Sequence, residues 1–184
     1  SSTPAWGWLN NKTMSTTLGA ASATLTVADG DANNTSEELE SITIISTDGT
    51  SKTYVIVDDN ATSVATGDVL AEGSDYGSGA LGAGHSLIGG IAVAINITGT
   101  VSNQNAILVQ LKNAIDHANG HNAGSAGSKI VVSNPATAAD GNQSITLTQA
   151  VAGNNGVRTI TEDIDDLSKT DFALPTASFT VDFS

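Results

Sequence analysis

The chain has 184 residues, no cysteine, 4% aromatic and 14% charged residues, and 19 Asp and Glu against 6 Lys and Arg, for a formal net charge of −13. Six cations cannot neutralise a run of phosphates or hold an anionic bilayer, so neither nucleic acid nor a membrane surface is an expected partner. The absence of Cys excludes disulfides, thiolate metal sites and thiol catalysis.

The length predicts a single domain able to bury a real core. Residues 1–21 read as an extended N-terminal arm, and residues 22–184 as one domain with a Gly-rich loop at 67–90. The most apolar stretch, residues 88–97, is interrupted by Gly89, Gly90 and Asn96 and is too short to cross a bilayer. Residues 1–6 show no basic region before an apolar one, so no signal-peptide pattern is read. The large apolar groups of the arm are Trp6, Trp8, Leu9 and Met14. On an extended chain Trp6 and Trp8 face the same way. They anchor the arm either on its own domain or on a neighbouring subunit, because tryptophans are frequent interface anchors.

Ala23, Leu25 and Val27 alternate with Thr24 and Thr26, the pattern of a half-buried strand. Residues 41–47 (SITIIST) and 51–57 (SKTYVIV) flank Asp48-Gly49, which predicts a β-hairpin. The Gly-rich stretch follows; a loop of this length in a compact domain points to a function or a partner. Ile91, Val93, Ile95 and Ile97 then alternate with Ala92, Ala94 and Asn96, predicting a strand with one apolar face. Ile107, Leu111 and Ile115, spaced four apart, predict an amphipathic helix over 103–118, capped by Ser102 and stopped by Asn119-Gly120. Strands are predicted at 129–133, 144–149, 157–162 and 178–183, with turns at Asp140-Gly141-Asn142 and 153–156. The fold class is therefore α+β: a mainly antiparallel sheet with one helix packed on it, plus the arm.

Chemistry-bearing patterns are few. Gly84-His85-Ser86-Leu87 starts like a nucleophile elbow, but Ile88 stands where the strained turn needs Gly, and no strand–turn–helix surrounds it. A hydrolase using Ser86 with His85 or His117 is the alternative this leaves. His117 and His121 are four apart at the predicted helix end. Two ligands do not complete a zinc shell, and a histidine there more simply meets the exposed carbonyls and the helix dipole. Asp29, Asp31, Asn33 and Glu40 fall at ligand positions of an EF-hand calcium loop, with Asn34 in place of its glycine. Strands flank the segment where an EF-hand needs helices, so a solvated acidic loop is the reading, with calcium the weaker alternative. The sequon Asn96-Ile97-Thr98 fits the chance level of an Asn-, Ser- and Thr-rich chain. No catalytic residue and no cofactor is expected.

Several segments carry a resemblance. Residues 42–54 (ITIISTDGTSKTY), 111–122 (LKNAIDHANGHN), 145–150 (ITLTQA), 152–154, 159–162 (TITE) and 168–172 (SKTDF) resemble, in this order, a module of virion structural proteins of tailed bacteriophages, notably marine ones. The match runs with gaps from residue 41 to 172. The Gly-rich segment is longer than the module's, and the Trp-bearing arm and Phe-bearing tail lie outside it. The resemblance implies a non-enzymatic virion protein, made in a host cytoplasm and carried on the particle. Its size suits a capsid decoration (cement) protein whose partners are the major capsid protein or other virion proteins and further copies of itself. Expected contact residues are Trp6, Trp8, Leu9, Tyr76, Leu81, His85, Phe179 and Phe183. A tail-fibre or adhesion module, or a filament subunit that donates a strand to its neighbour, are the other readings.

Overall fold

The computed structural model describes residues 18–28, 39–57, 64–70, 91–97, 104–122, 128–165 and 167–176. Nine strands and one helix occupy these segments: β1 (Ser22–Val27), β2 (Ser41–Ile45), β3 (Ser51–Val57), β4 (Ile91–Asn96), α1 (Gln104–Asp116), β5 (Ile130–Val132), β6 (Ala136–Thr137), β7 (Gln143–Gln149), β8 (Thr161–Glu162) and β9 (Leu167–Lys169).

Period-two burial sets the two layers. In β1, Ala23, Leu25 and Val27 are buried while Ser22, Thr24 and Thr26 face outward. In β7, Ile145, Leu147 and Gln149 point inward. These strands pair antiparallel with Leu25 opposite Ile145 and Ala23 opposite Leu147. They form the centre of one sheet, ordered β5-β7-β1-β9, with β6 also paired to β7. The second sheet runs β4-β3-β2-β8. Its β2–β3 pair is antiparallel, with Ile42 opposite Tyr54, and its β3–β4 pair is parallel, with Tyr54 opposite Val93 and Ile56 opposite Ile95. The inner faces of both sheets, the apolar face of the helix and Phe172 share one core. The class is thus α+β and mainly β, as the alternation predicts.

The helix buries Ile107, Leu108, Leu111, Ala114 and Ile115 and packs against β3, β4, β5 and β7, so it touches both sheets. Its end is set by backbone crowding. The His121 N–H reaches back to the Ile115 carbonyl at 3.0 Å, and the Gly120 N–H bonds the His117 carbonyl at 2.9 Å. A Cβ on Gly120 would lie 2.6 Å from the Ile115 oxygen and closer still to that of Ala114. Glycine is required here for close approach of backbone.

Four readings change. β4 was expected to have one apolar face, yet Ala92 and Ala94 are buried as well. Residues 64–70 return along the outer edge of β4, where Gly67 and Leu70 donate to Ala94 and Ala92. Leu70, Val55 and Val57 close a second apolar cluster over those alanines. The expected strand at 157–162 shrinks to Thr161–Glu162, because residues 154–156 turn as a 3-10 helix and Ile160 binds its amide to the Asp171 carboxylate instead of a strand. The short strands β6 and β9, absent from the reading, exist because β7 and β1 offer them an edge. The helix is shorter than the periodicity predicts, ending at Asp116, since the chain turns at 117–122. The expected strand at 178–183 and the cap Ser102 lie outside the described residues.

One strained residue marks the join of β2 to the preceding segment. Leu39 has φ 68°, the left-handed region. Its N–H donates to the Ile56 carbonyl and the Ile56 N–H donates to the Glu40 carbonyl, both at 2.8 Å. Two residues thus oppose one, a β-bulge with its first residue left-handed. The bulge carries Leu39 onto the second apolar cluster.

Gly120→Ala is expected to cost at least about 2 kcal/mol, by forcing a Cβ into two carbonyl oxygens. Chemical denaturation of the variant checks it; an unchanged midpoint contradicts the crowded turn.

Candidate functional site

A partly buried polar cluster converges on the turn of the β2–β3 hairpin. The turn itself is local. Gly49 donates to the Ser46 carbonyl and Ser46 donates to the Thr50 carbonyl, both at 2.9 Å. Gly49 has φ 85° and Asp48 does not share the left-handed region. The loop is therefore the three-residue type with a left-handed Gly, not the two-residue Asp-Gly turn. The Asp48 carboxylate braces it, accepting from the Ser46 hydroxyl at 2.5 Å and the Thr50 N–H at 3.0 Å.

Three side chains from distant segments then hold this turn. Gln149 lies on the inner face of β7 and is 1% exposed. Its amide crosses to the other sheet. Oε1 accepts from the Thr47 N–H at 2.8 Å and the Thr47 hydroxyl at 3.0 Å, and Nε2 donates to the Ile45 carbonyl at 2.9 Å. Lys129, just before β5, reaches the Asp48 carboxylate at 2.8 Å and the Thr50 hydroxyl at 2.6 Å. His121 follows the helix and is fully buried. Its Nδ1 lies 2.7 Å from the Tyr54 hydroxyl and its Nε2 lies 3.2 Å from the Thr50 carbonyl. A carbonyl only accepts, so Nε2 carries the proton, and Nδ1 accepts from the tyrosine. The two rings lie 5.9 Å apart, tilted by 37°.

Burial controls the titration of His121 and Tyr54, and hydrogen bonds control that of Asp48. Removal from water holds the His121 imidazole neutral, with its pKa lowered to about 4; Lys52 and Lys129 add to this, while the Thr50 carbonyl and Asp48 oppose it. Burial also pushes the Tyr54 hydroxyl far above its ordinary range. The Asp48 carboxyl is held well below the usual carboxylate range, first by Lys129, then by the Ser46 hydroxyl and the Thr50 N–H.

The two histidines weighed as a metal pair are not brought to one point. His117 packs its ring against Gly67 and accepts the Asn119 N–H at 3.3 Å, while His121 faces Tyr54. Among the described residues, no group of three His, Asp or Glu is placed to hold a metal ion. Of the calcium-loop candidates, Glu40 sits in the bulge, and Asp29, Asp31 and Asn33 lie outside the described residues. So do Ser86 and all the expected contact residues: Trp6, Trp8, Leu9, Tyr76, Leu81, His85, Phe179 and Phe183. The Asn96 side chain donates to the Val64 carbonyl, so the sequon asparagine is engaged in the fold. A recess between helix and sheets is lined by Val27, Ile56, Ile95, Leu111 and Leu167 and offers no reacting group.

Sequence reasoning missed the Gln149 bridge and the Tyr54–His121 pair. The signal for Gln149 was its phase: it continues the inward series of Ile145 and Leu147, where an amide needs a partner. Comparison with protein-family models, with characterised proteins and with solved structures returns no match.

Two outcomes are expected. Tyr54→Phe leaves Nδ1 of His121 buried without a donor and costs about 1–3 kcal/mol. The neutral imidazole also makes stability depend on pH. An unfolded histidine binds a proton near pH 6.5, whereas the folded one binds it only near pH 4. Stability therefore falls as pH drops through that window, by on the order of 3 kcal/mol in total. Denaturation against pH shows the slope in the native chain and its loss in His121→Gln; a flat native profile contradicts the assignment.

Proposed function

We propose that the chain is a non-enzymatic virion structural protein, a capsid decoration protein that binds and stabilises the shell of a tailed bacteriophage. One observation carries the reading. The segments that resemble the virion module are far apart in the chain, yet their residues touch. Residues 42–54 supply the hairpin, Tyr54 and Thr50; residues 111–122 supply His121; residues 145–150 supply Gln149. A chance resemblance has no reason to select residues that hydrogen-bond one another across two sheets. The shared positions are those on which this fold is built, which favours kinship of the module over coincidence of composition.

A decoration protein acts by mass action. Each copy that binds the assembled shell, and not the free capsid subunit, shifts the equilibrium toward the shell, by about 2.7 kcal/mol at a free concentration 100 times Kd. No bond is made or broken. The chain needs a rigid body and contact residues, and Trp6, Trp8, Leu9, Tyr76, Leu81, His85, Phe179 and Phe183 are proposed for contact. The net charge of −13 keeps a dense array of copies soluble.

The test is fractionation of particles after mild disruption that sheds tails. The chain is expected with the DNA-filled capsids. Its recovery with tails or fibres overturns the decoration assignment in favour of an adhesion module. Its absence from both fractions overturns the virion reading.

A further inference from the structure

An open sheet has edge strands, and the outward N–H and C=O groups of an edge are a template for another strand. In the second sheet one edge, β4, is covered by residues 64–70, and the other, β8, is two residues long. In the first sheet the edges are β9 and β5. Pairing with β7 sets which groups of β5 point out. Ala150 donates to the Lys129 carbonyl and Ser133 to that of Thr146, so residues 129, 131 and 133 turn their backbone groups toward β7. Ile130 and Val132 turn theirs away. Between them stands Val131, 54% exposed and of the branched kind that strands favour.

Two side chains meet these outward groups. The Ile130 N–H donates to Asn122 Oδ1 at 3.3 Å, and Lys112 Nζ donates to the Val132 carbonyl at 3.3 Å. An amide oxygen and an ammonium thus stand where a neighbouring strand would put a C=O and an N–H. One carboxylate holds both. Asp116 Oδ2 accepts from Lys112 Nζ at 2.5 Å, and Oδ1 accepts from Asn122 Nδ2 at 2.6 Å. The helix end places all three: Lys112 and Asp116 are one turn apart on α1, and the Asn122 N–H bonds the Ile115 carbonyl at 3.2 Å.

We propose that Lys112, Asp116 and Asn122 are an edge guard, a side-chain substitute for a neighbouring strand that keeps β5 from pairing with the β5 of another copy. The helix does not need these contacts to stay in place, because its apolar face is buried against both sheets. A half-exposed Lys–Asp pair contributes little to stability. Its position is explained by what it closes. An approaching strand would have to strip water from the lysine and break its bond to Asp116, which is how a charge blunts an edge. The guard does not depend on the capsid reading. A filament built by strand donation at this edge would first have to displace it.

Sedimentation velocity of the full chain over a range of concentration tests it. Lys112→Ala frees the Val132 carbonyl, and Lys112→Ala with Asn122→Ala frees the outward row; alanine keeps residue 112 helical. The double variant is expected to self-associate at least about tenfold more tightly than the native chain. It does so although the loss of a lysine makes an acidic chain more acidic and increases repulsion between copies. In a two-fold antiparallel pairing centred on residue 131, each Val131 lies opposite its copy. Adding Val131→Lys sets like charges face to face and returns association to the native level. Lys169→Ala, which breaks the Lys169–Asp171 pair and removes the same charge, leaves association unchanged. Lys112→Ala alone shifts association in the same direction, so a fold lost with Asn122 does not hide the result; native circular dichroism shows which variants are folded. Folded Lys112→Ala and double variants that sediment as the native chain does overturn the proposal. So does association that survives Val131→Lys.

Discussion

Among the described residues, the amide of Gln149 ties the inner face of one sheet to the backbone of the other. Two sheets that share only apolar side chains can slide, because the hydrophobic effect has no direction. A hydrogen-bonded amide in the seam has one solution. Here Gln149 satisfies the Thr47 N–H and the Ile45 carbonyl at once. Those backbone groups sit where the hairpin turns, and the ladder no longer pairs them. Without the amide they would be half-buried polar groups deprived of this partner, at a cost of about 1 kcal/mol each.

The neighbouring contacts rank by burial. The Lys129–Asp48 ion pair looks strong at 2.8 Å, yet the two side chains are 39% and 52% exposed. Pairs of that kind contribute at most about 1 kcal/mol. His121 is fully buried, with both ring nitrogens engaged and with Tyr54 as donor. It joins the helix end to the hairpin. The order of importance is thus Gln149 and His121 first and Lys129 last, the reverse of a ranking by formal charge. The turn, the helix end and the start of β5 are fixed by one cluster, and each was supplied by a different segment.

The sequence was informative where the physics is local. Alternation identified β1 and β4, and runs of β-branched residues between turn signals identified β2, β3, β5 and β7. The Asp48-Gly49 hairpin and the Asn119-Gly120 stop were legible for the same reason. The glycine at 120, however, answers to crowding from carbonyls and not to a left-handed backbone. What was illegible depends on partners far along the chain. β6 and β9 are two and three residues long and carry no periodicity. The parallel pairing of β3 with β4 leaves no mark in either strand. Tyr54 and His121 are 67 residues apart, and nothing near either announces the other. His121 was read from its place at a helix end, where the dipole is the nearest explanation; its partners are a tyrosine hydroxyl and a turn carbonyl.

Composition takes on a spatial meaning in this frame. The net charge of −13 leaves the core free of Asp, Glu, Lys and Arg: among the described residues the buried polar side chains are Ser46, Thr53, His121 and Gln149. Native-state hydrogen exchange tests most directly whether the Gln149 bridge governs the fold. The Thr47 amide belongs to a surface hairpin turn, where exchange by local fraying is usual. The account requires it to exchange only on global unfolding, with the same free energy as the Gln149 amide, which bonds the Ala21 carbonyl where β7 pairs with the residue before β1. Equal protection at the two sites is the expected result. Exchange of Thr47 at a free energy several kcal/mol below that of Gln149 would contradict the account.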